Sequence, residues 1–233
     1  MIRNLLLAAI AAGMLAGVVA TAAQAVRVIP LILQAETYET AEAPVASPTH
    51  AHDAAAPAHV HDSEAWAPED GLERLVYTLL SNIIAGVGFA SVLGAAIMFS
   101  NRQVSLKTGA VWGAAGFLVF SLAPALGLPP ELPGTEAAEL TARQGWWLLT
   151  VVSTAAGLAF IAFPRRVWFK ALGVALMVLP HVIGAPHPET HGSLAPGALA
   201  AEFAVASLVT AAVFWVVLGS TLGGFLERLG RTA

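Results

Sequence analysis

An all-α integral membrane protein is the fold class this sequence predicts. Three observations point to it. Of 233 residues, 57% are hydrophobic and 11% are charged; the mean hydropathy is +0.74; and the apolar residues gather into six separate runs of membrane-spanning length. A soluble domain carries about 25% charged residues, so most of this chain must face lipid or other apolar helices. The runs cover residues 5–26, 75–99, 109–128, 146–163, 167–183 and 199–222, against the roughly 20 apolar residues that a helix needs to cross a bilayer. They predict a single integral membrane domain over 1–233, a polytopic transmembrane helical bundle.

The first run has two readings. Arg3, the apolar stretch 5–19 and Ala23-Gln24-Ala25 have the layout of a signal peptide with a small-x-small cleavage site. Cleavage would leave five spans. Retention is the preferred reading, because apolar character resumes at 28–33 and Gly13-x-x-x-Gly17 suits close helix packing. The second helix opens at Asp70-Gly71-Leu72-Glu73, which has capping-box spacing. Pro124 and Pro180 lie near the ends of the third and fifth runs, where a lost backbone donor is tolerated. Trp146, Trp147 and Trp168 begin the fourth and fifth at interface depth. Ile29-Pro30, Leu122-Ala123-Pro124 and Leu179-Pro180-His181 close the odd-numbered runs, and a carboxylate follows each: Glu36, Glu131 and Glu189. This weak repeat is compatible with three tandem helical hairpins.

Charge sets the orientation. Arg3, Arg102, Lys107, Arg165, Arg166, Lys170, Arg228 and Arg231, eight of eleven basic residues, fall on one set of segments, with Glu227 as the one acid of fifteen there. The positive-inside rule puts that set, and both termini, in the cytoplasm. The other face carries all seven histidines and the long segment 40–68 between spans one and two. That segment is rich in His, Ala and Pro and poor in large apolar residues, so it is read as a flexible outer loop that cannot offset its ordering entropy by burial.

The residues that could carry chemistry are on this outer face. His50-Ala-His52 and His59-Val-His61, with Asp53, Asp62 and Glu64, can present paired imidazoles, since i and i+2 point the same way in an extended chain. Imidazole with carboxylate is a transition-metal donor set; the plainer reading is a solvated loop. Glu36 and Glu39 share a face if the first helix continues past the membrane, as a metal handover site or as an acidic interfacial cap. His181, with His187, Glu189, His191 and Glu202 after it, follows Pro180 at the outer membrane depth, as an entrance ligand or as a hydrogen-bonded interfacial histidine. Asn82, inside the second span, fits a helix–helix hydrogen bond better than a substrate contact.

Absences exclude other classes. There is no cysteine, which removes thiolate sites and disulfides. No nucleotide-binding Gly-rich motif and no His-Glu-x-x-His occurs, and no nucleophile–base pair has a recognisable spacing, so an enzyme is not expected. A net charge of -4 gives no reason to expect nucleic acid.

Several stretches carry a family resemblance: Pro30-Leu31-Ile32-Leu33-Gln34-Ala35-Glu36; Trp66-Ala67-Pro68-Glu69-Asp70-Gly71-Leu72-Glu73-Arg74; Pro129-Pro130-Glu131-Leu132-Pro133-Gly134; Arg143-Gln144-Gly145-Trp146-Trp147; and Pro180-His181-Val182-Ile183-Gly184-Ala185-Pro186. With these, the chain resembles the CbtA family of proposed cobalt transporter subunits along nearly its whole length. The resemblance implies an integral membrane protein linked to cobalt supply for cobalamin synthesis; the expected setting is the bacterial inner membrane, with no tightly bound cofactor and Co²⁺ as the metal that the resemblance favours. It also implies a small single-span His-rich partner of the CbtB type. The family is usually described with five spans, against six runs here. The expected function is membrane transport of a divalent transition-metal ion captured by outer-face His, Asp and Glu. The alternative is an accessory subunit that presents metal to a separate permease.

Overall fold

The computed structural model of the chain describes residues 2–42, 68–164, 166–188 and 192–231. His50, His52, His59 and His61, and most of the loop predicted over 40–68, lie outside the described residues. Six helices stand where the six runs were predicted. Helix α1 runs through Ile2–Ala23, widens into a π-helical turn at Gln24–Val28 and continues as Ile29–Glu42. Helix α2 is Leu72–Ser100. Helix α3 comprises Leu106–Phe117, a second π turn at Leu118–Leu122, and Ala123–Ala125. Helices α4, α5 and α6 are Leu140–Ala162, Val167–Ile183 and Gly197–Arg231. Among the described residues there is no strand, only an isolated bridge between Thr135 and Ser193. Among the described residues, five helices are long and apolar enough to cross a membrane. The 17 residues of α5 give about 25 Å, short of the ~30 Å hydrocarbon core. The predicted helical membrane bundle is the observed fold class.

Each π turn stands just before a proline, Pro30 or Pro124. A proline ring cannot donate to the carbonyl four residues back, and the wider turn re-pairs the backbone: Ile29 N–H bonds the Gln24 carbonyl and Ala123 N–H bonds that of Leu118. Pro180 lies in the last turn of α5, fully buried, with no π turn before it.

The close helix pairs are α1–α2, α3–α6 and α4–α5, with α1 also laid along α6. This corrects the tandem arrangement: the α4–α5 hairpin is nested between α3 and its partner α6. The cause is where the glycines fall. Gly13 abuts Gly86, Gly109 abuts Gly219, and Gly157 abuts Gly173. At Gly173 a Cβ would stand 2.6 Å from the Gly157 carbonyl oxygen, so backbones meet there in the close approach that small residues permit. Gly17 works as its spacing suggested, against Asn82 and Ile83 of α2. Along α1 and α6 the seam is alanine against larger residues: Ala9 and Ala16 with Trp215 and Leu218, Ala8 and Ala12 with Leu222.

Two local expectations are corrected. Helix α1 extends to Glu42, so the first residues assigned to the loop are helical. Asp70 does not cap α2. Gly71 is the N-cap, at φ 95°, where a side chain would be strained. Glu73 reaches back to Glu69 N–H at 3.2 Å, and Asp70 turns to Arg74 at 2.7 Å. A capping box does form at Ser105 and Thr108, opening α3, at a place where none was predicted.

The apolar span beginning in α1 covers Ile2–Glu39, 38 residues, or about 57 Å, nearly twice the hydrocarbon thickness. Its last turns therefore project beyond the bilayer. There they meet the start of α6 and the segments after α3 and α5 around a small core of Val28, Leu31, Ala35, Leu132, Ala195, Leu199 and Phe203. This end of the bundle also carries most of the acids; the opposite end carries Arg3, Arg102, Lys107, Arg166, Lys170 and Arg228.

Candidate functional site

The acidic end is assembled from the last turns of α1, the starts of α2, α4 and α6, and the segments that close and follow α3 and α5. The last turns of α1 bring Glu36 and Glu39 to it. Continuation of the helix places the pair on one face, as the three-residue spacing requires. Their surroundings differ. Glu36 is ion-paired with Arg74 at the start of α2, at 2.9 Å, with a second contact at 3.4 Å. Arg74 also holds Asp70, so one guanidinium is clamped between two carboxylates. Glu39 makes no hydrogen bond or ion pair among the described residues. Its carboxylate lies beside Gly134, where a Cβ would come 2.7 Å from Oε1. Gly134 has φ 71°, the left-handed conformation that lets the chain turn there.

The segment after α3 is tied down at several points. Glu131 pairs with Arg143 of α4 at 2.9 Å. Thr135 bridges Ser193, and Glu136 exchanges two bonds with Gly192: its N–H donates to the Gly192 carbonyl at 3.0 Å, and its Oε2 accepts the Gly192 N–H at 3.1 Å. Glu139 caps α4 by accepting the N–H groups of Thr141 at 2.8 Å and Ala142 at 2.7 Å. Those two backbone bonds, Thr141 first, hold its carboxyl below the usual carboxylate range.

His181 stands in the last turn of α5, half-buried, edge-on to Trp146 with ring centroids 5.8 Å apart. Trp146 Nε1 donates to the Pro180 carbonyl at 3.2 Å, and Gly184 N–H donates to the same oxygen at 3.0 Å. The carbonyl beside His181 is thus engaged rather than open to a ligand. His187 is exposed in the segment that follows. Glu202 is on the outward face of α6, where it lines a groove with Arg27, Val205 and Val209, away from the interior of the bundle.

These residues share one end of the molecule but do not converge. Among the described residues no three His, Asp or Glu side chains approach as a metal-binding group. Deeper in the membrane, Asn82 donates to Thr21 Oγ1 at 2.9 Å and to Gln24 Oε1 at 2.6 Å, the helix–helix role its position suggested. Sequence reasoning missed the restraint of Glu36 by Arg74, which entered only as the last residue of the Trp66–Arg74 stretch, and the tie between Glu136 and Gly192. The Gly and Pro around both segments marked turns but gave no sign that the two turns meet.

What the arrangement offers chemically is oxygen and imidazole donors with no thiolate, on helices that continue into the bilayer. Oxygen and nitrogen donors of this kind suit divalent first-row metals. No curated protein and no solved structure matches the chain. A family model described as "Probable cobalt transporter subunit (CbtA)" matches residues 2–227. The chain is therefore a multi-pass membrane protein that belongs to the CbtA family of probable cobalt transporter subunits.

Proposed function

We propose that this chain takes up Co²⁺ across the bacterial inner membrane, with the acidic end facing the incoming metal and the metal destined for cobalamin synthesis. The observation that supports it most is the segregation of charge in a member of this family: among the described residues, most carboxylates with His181 and His187 stand at one end and most basic residues at the other, while Arg74 and Arg143 at the acidic end are held in ion pairs. The His50, His52, His59 and His61 loop raises the local metal concentration on that side. Glu39, with a carboxylate that no described cation neutralises, and His181 are the first contacts at the helix ends. Glu36 and Glu202 act at the rim, Glu36 through its restraint by Arg74. The positive-inside rule places both termini in the cytoplasm, and α1, packed along its length against α2 and α6, stays in the mature protein. The chain has no nucleotide-binding motif, so the membrane potential is the simplest driving force, favouring inward movement of a divalent cation by about 4.6 kcal/mol per 100 mV.

Uptake of ⁵⁷Co²⁺ by cells with and without the gene, in a background lacking other importers, tests the proposal. Gene-dependent uptake that collapses with the membrane potential is expected; equal uptake in the two strains overturns it. A second reading is favoured by the lack of a converged donor set among the described residues: the chain presents metal to a permease and works with a small His-rich single-span subunit. Purified chain alone in vesicles separates the two. Metal entry without any partner rejects the accessory role.

A further inference from the structure

Helices α4 and α5 form a hairpin that meets the rest of the bundle at the acidic end of α3, around its π turn and final residues. Towards the basic end the hairpin diverges from α2 and α3. A cavity of about 780 Å³ opens there, within the size range of small-molecule sites. Its deep end is closed by Phe89, Phe120 and Trp215, and its walls are almost wholly apolar. Polar groups are confined to the mouth, where Arg102 stands. One guanidinium N–H donates to the Ala162 carbonyl at 3.1 Å, and the group lies 4.9 Å from the Phe163 ring centre. No carboxylate pairs with it among the described residues.

We propose that this gap binds one acyl chain of an anionic phospholipid, with Arg102 holding the headgroup phosphate. Three features select that occupant. The walls belong to membrane-spanning helices, and Val92 and Val111 are exposed beside the gap, so it fills from the bilayer and not from water. Phe89 and Phe99 are ten residues apart on α2, about 15 Å, which is half the ~30 Å hydrocarbon core. The gap thus has the depth of one leaflet, whereas a partner's membrane-spanning helix would need the full thickness. The polarity runs from apolar to cationic along that depth, matching an amphiphile with a negative head. Arginine retains several donors after the bond to Ala162, in the planar fork that suits phosphate oxygens. Lipid bound there would complete the wall between α4–α5 and α2–α3. The site is independent of which ion the protein moves.

The full chain is reconstituted in vesicles of equimolar phosphatidylcholine and phosphatidylglycerol, re-extracted in mild detergent, and its retained lipid identified by native mass spectrometry. Phosphatidylglycerol is expected to be retained about fivefold over phosphatidylcholine, the scale of one basic side chain at an anionic surface. Arg102→Gln keeps a bound lipid and loses the preference. Ala159→Trp and Ala155→Phe, which fill the cavity from α4, lose the lipid, while Val178→Trp on the exposed side of α5 retains it. Equal retention by wild type and both filled variants overturns the proposal, as does equal retention of the two lipids by wild type, or a polypeptide found in place of lipid. Where the filled variants fail to fold, brominated-chain lipids added to the wild type decide. Trp112 and Trp215 line the gap, so brominated phosphatidylglycerol must quench more fluorescence than brominated phosphatidylcholine; equal quenching refutes the site.

Discussion

At the acidic end the chain is held by its own small core and by polar ties between segments far apart in sequence: Glu36 with Arg74, Glu131 with Arg143, Thr135 with Ser193. At the basic end the helices are held mainly by backbone-to-backbone glycine crossings, and the α4–α5 hairpin leans on the rest through Arg102 and Ala162. Side-chain ties fix loops in space and leave helices free to shift along their axes. Glycine crossings fix the axes and leave the space between pairs open. The donor surface is thus rigid at one end, and one hairpin keeps its freedom at the other.

Separating a glycine crossing is the most damaging change. Gly219→Leu pushes a side chain into Gly113, where a Cβ already meets the backbone at 2.5 Å. Overpacking against backbone that cannot yield should cost about 3 kcal/mol or more, seen as loss of the folded fraction on thermal unfolding in detergent. Leu199→Ala, in the core at the acidic end, should cost about 2–3 kcal/mol. It should loosen the turn at Thr135 and Ser193 in hydrogen exchange while leaving α3–α6 protection unchanged. A smaller effect separates the two glutamates. Glu39→Gln should lower uptake several-fold at limiting metal. Glu36→Gln should leave uptake nearly unchanged and cost about 1 kcal/mol or less of stability, because it removes one of Arg74's two carboxylates. Equal uptake defects in the two variants would remove the distinction drawn between a tied and an untied carboxylate.

The smallest effect is a pH dependence at Glu139. Its folded pKa lies below the unfolded carboxylate value of about 4.3, so the cap is fully present above that value and is lost as pH falls through the lower, folded value. Exchange protection of the Thr141 and Ala142 amides should therefore persist at pH 5 and fall only in stronger acid. Loss already near pH 6 would contradict the capping geometry.

Much of the fold was legible in the sequence because hydrophobic runs report membrane burial directly: all six runs became helices, and Gly13, Gly17 and Asn82 act in helix contacts as their spacing suggested. Helix pairing was not legible. The glycines that choose it, such as Gly109 and Gly219, are 110 positions apart, and nothing in the local pattern links them. The capping error at Asp70 has the same origin. The motif Asp-Gly-Leu-Glu fits a cap, but Arg74 one turn later competes for the carboxylate. Of the candidate site, residue type and the end of the molecule could be read, while the ties at Glu36 and the Pro180 carbonyl depend on tertiary contacts. The histidine pairs of the 40–68 loop lie outside the described residues and remain a proposal.

The π turn in α1 has a consequence for helical phase. A π turn holds one residue more than an α turn, and one residue is about 100° of rotation. The two halves of α1 are therefore set in angle independently: the face that Ala8, Ala12 and Ala16 turn to the bundle does not dictate the face on which Glu36 and Glu39 appear. Replacing Pro30 with alanine, so that Gln24–Val28 closes as ordinary α turns with its residue count unchanged, would swing the outer half by roughly a quarter turn. Glu36 would leave Arg74 while the membrane-embedded seam stayed intact. The turn acts as a coupling of fixed offset between a span that must fit its neighbours and an acidic tip that must fit the loops.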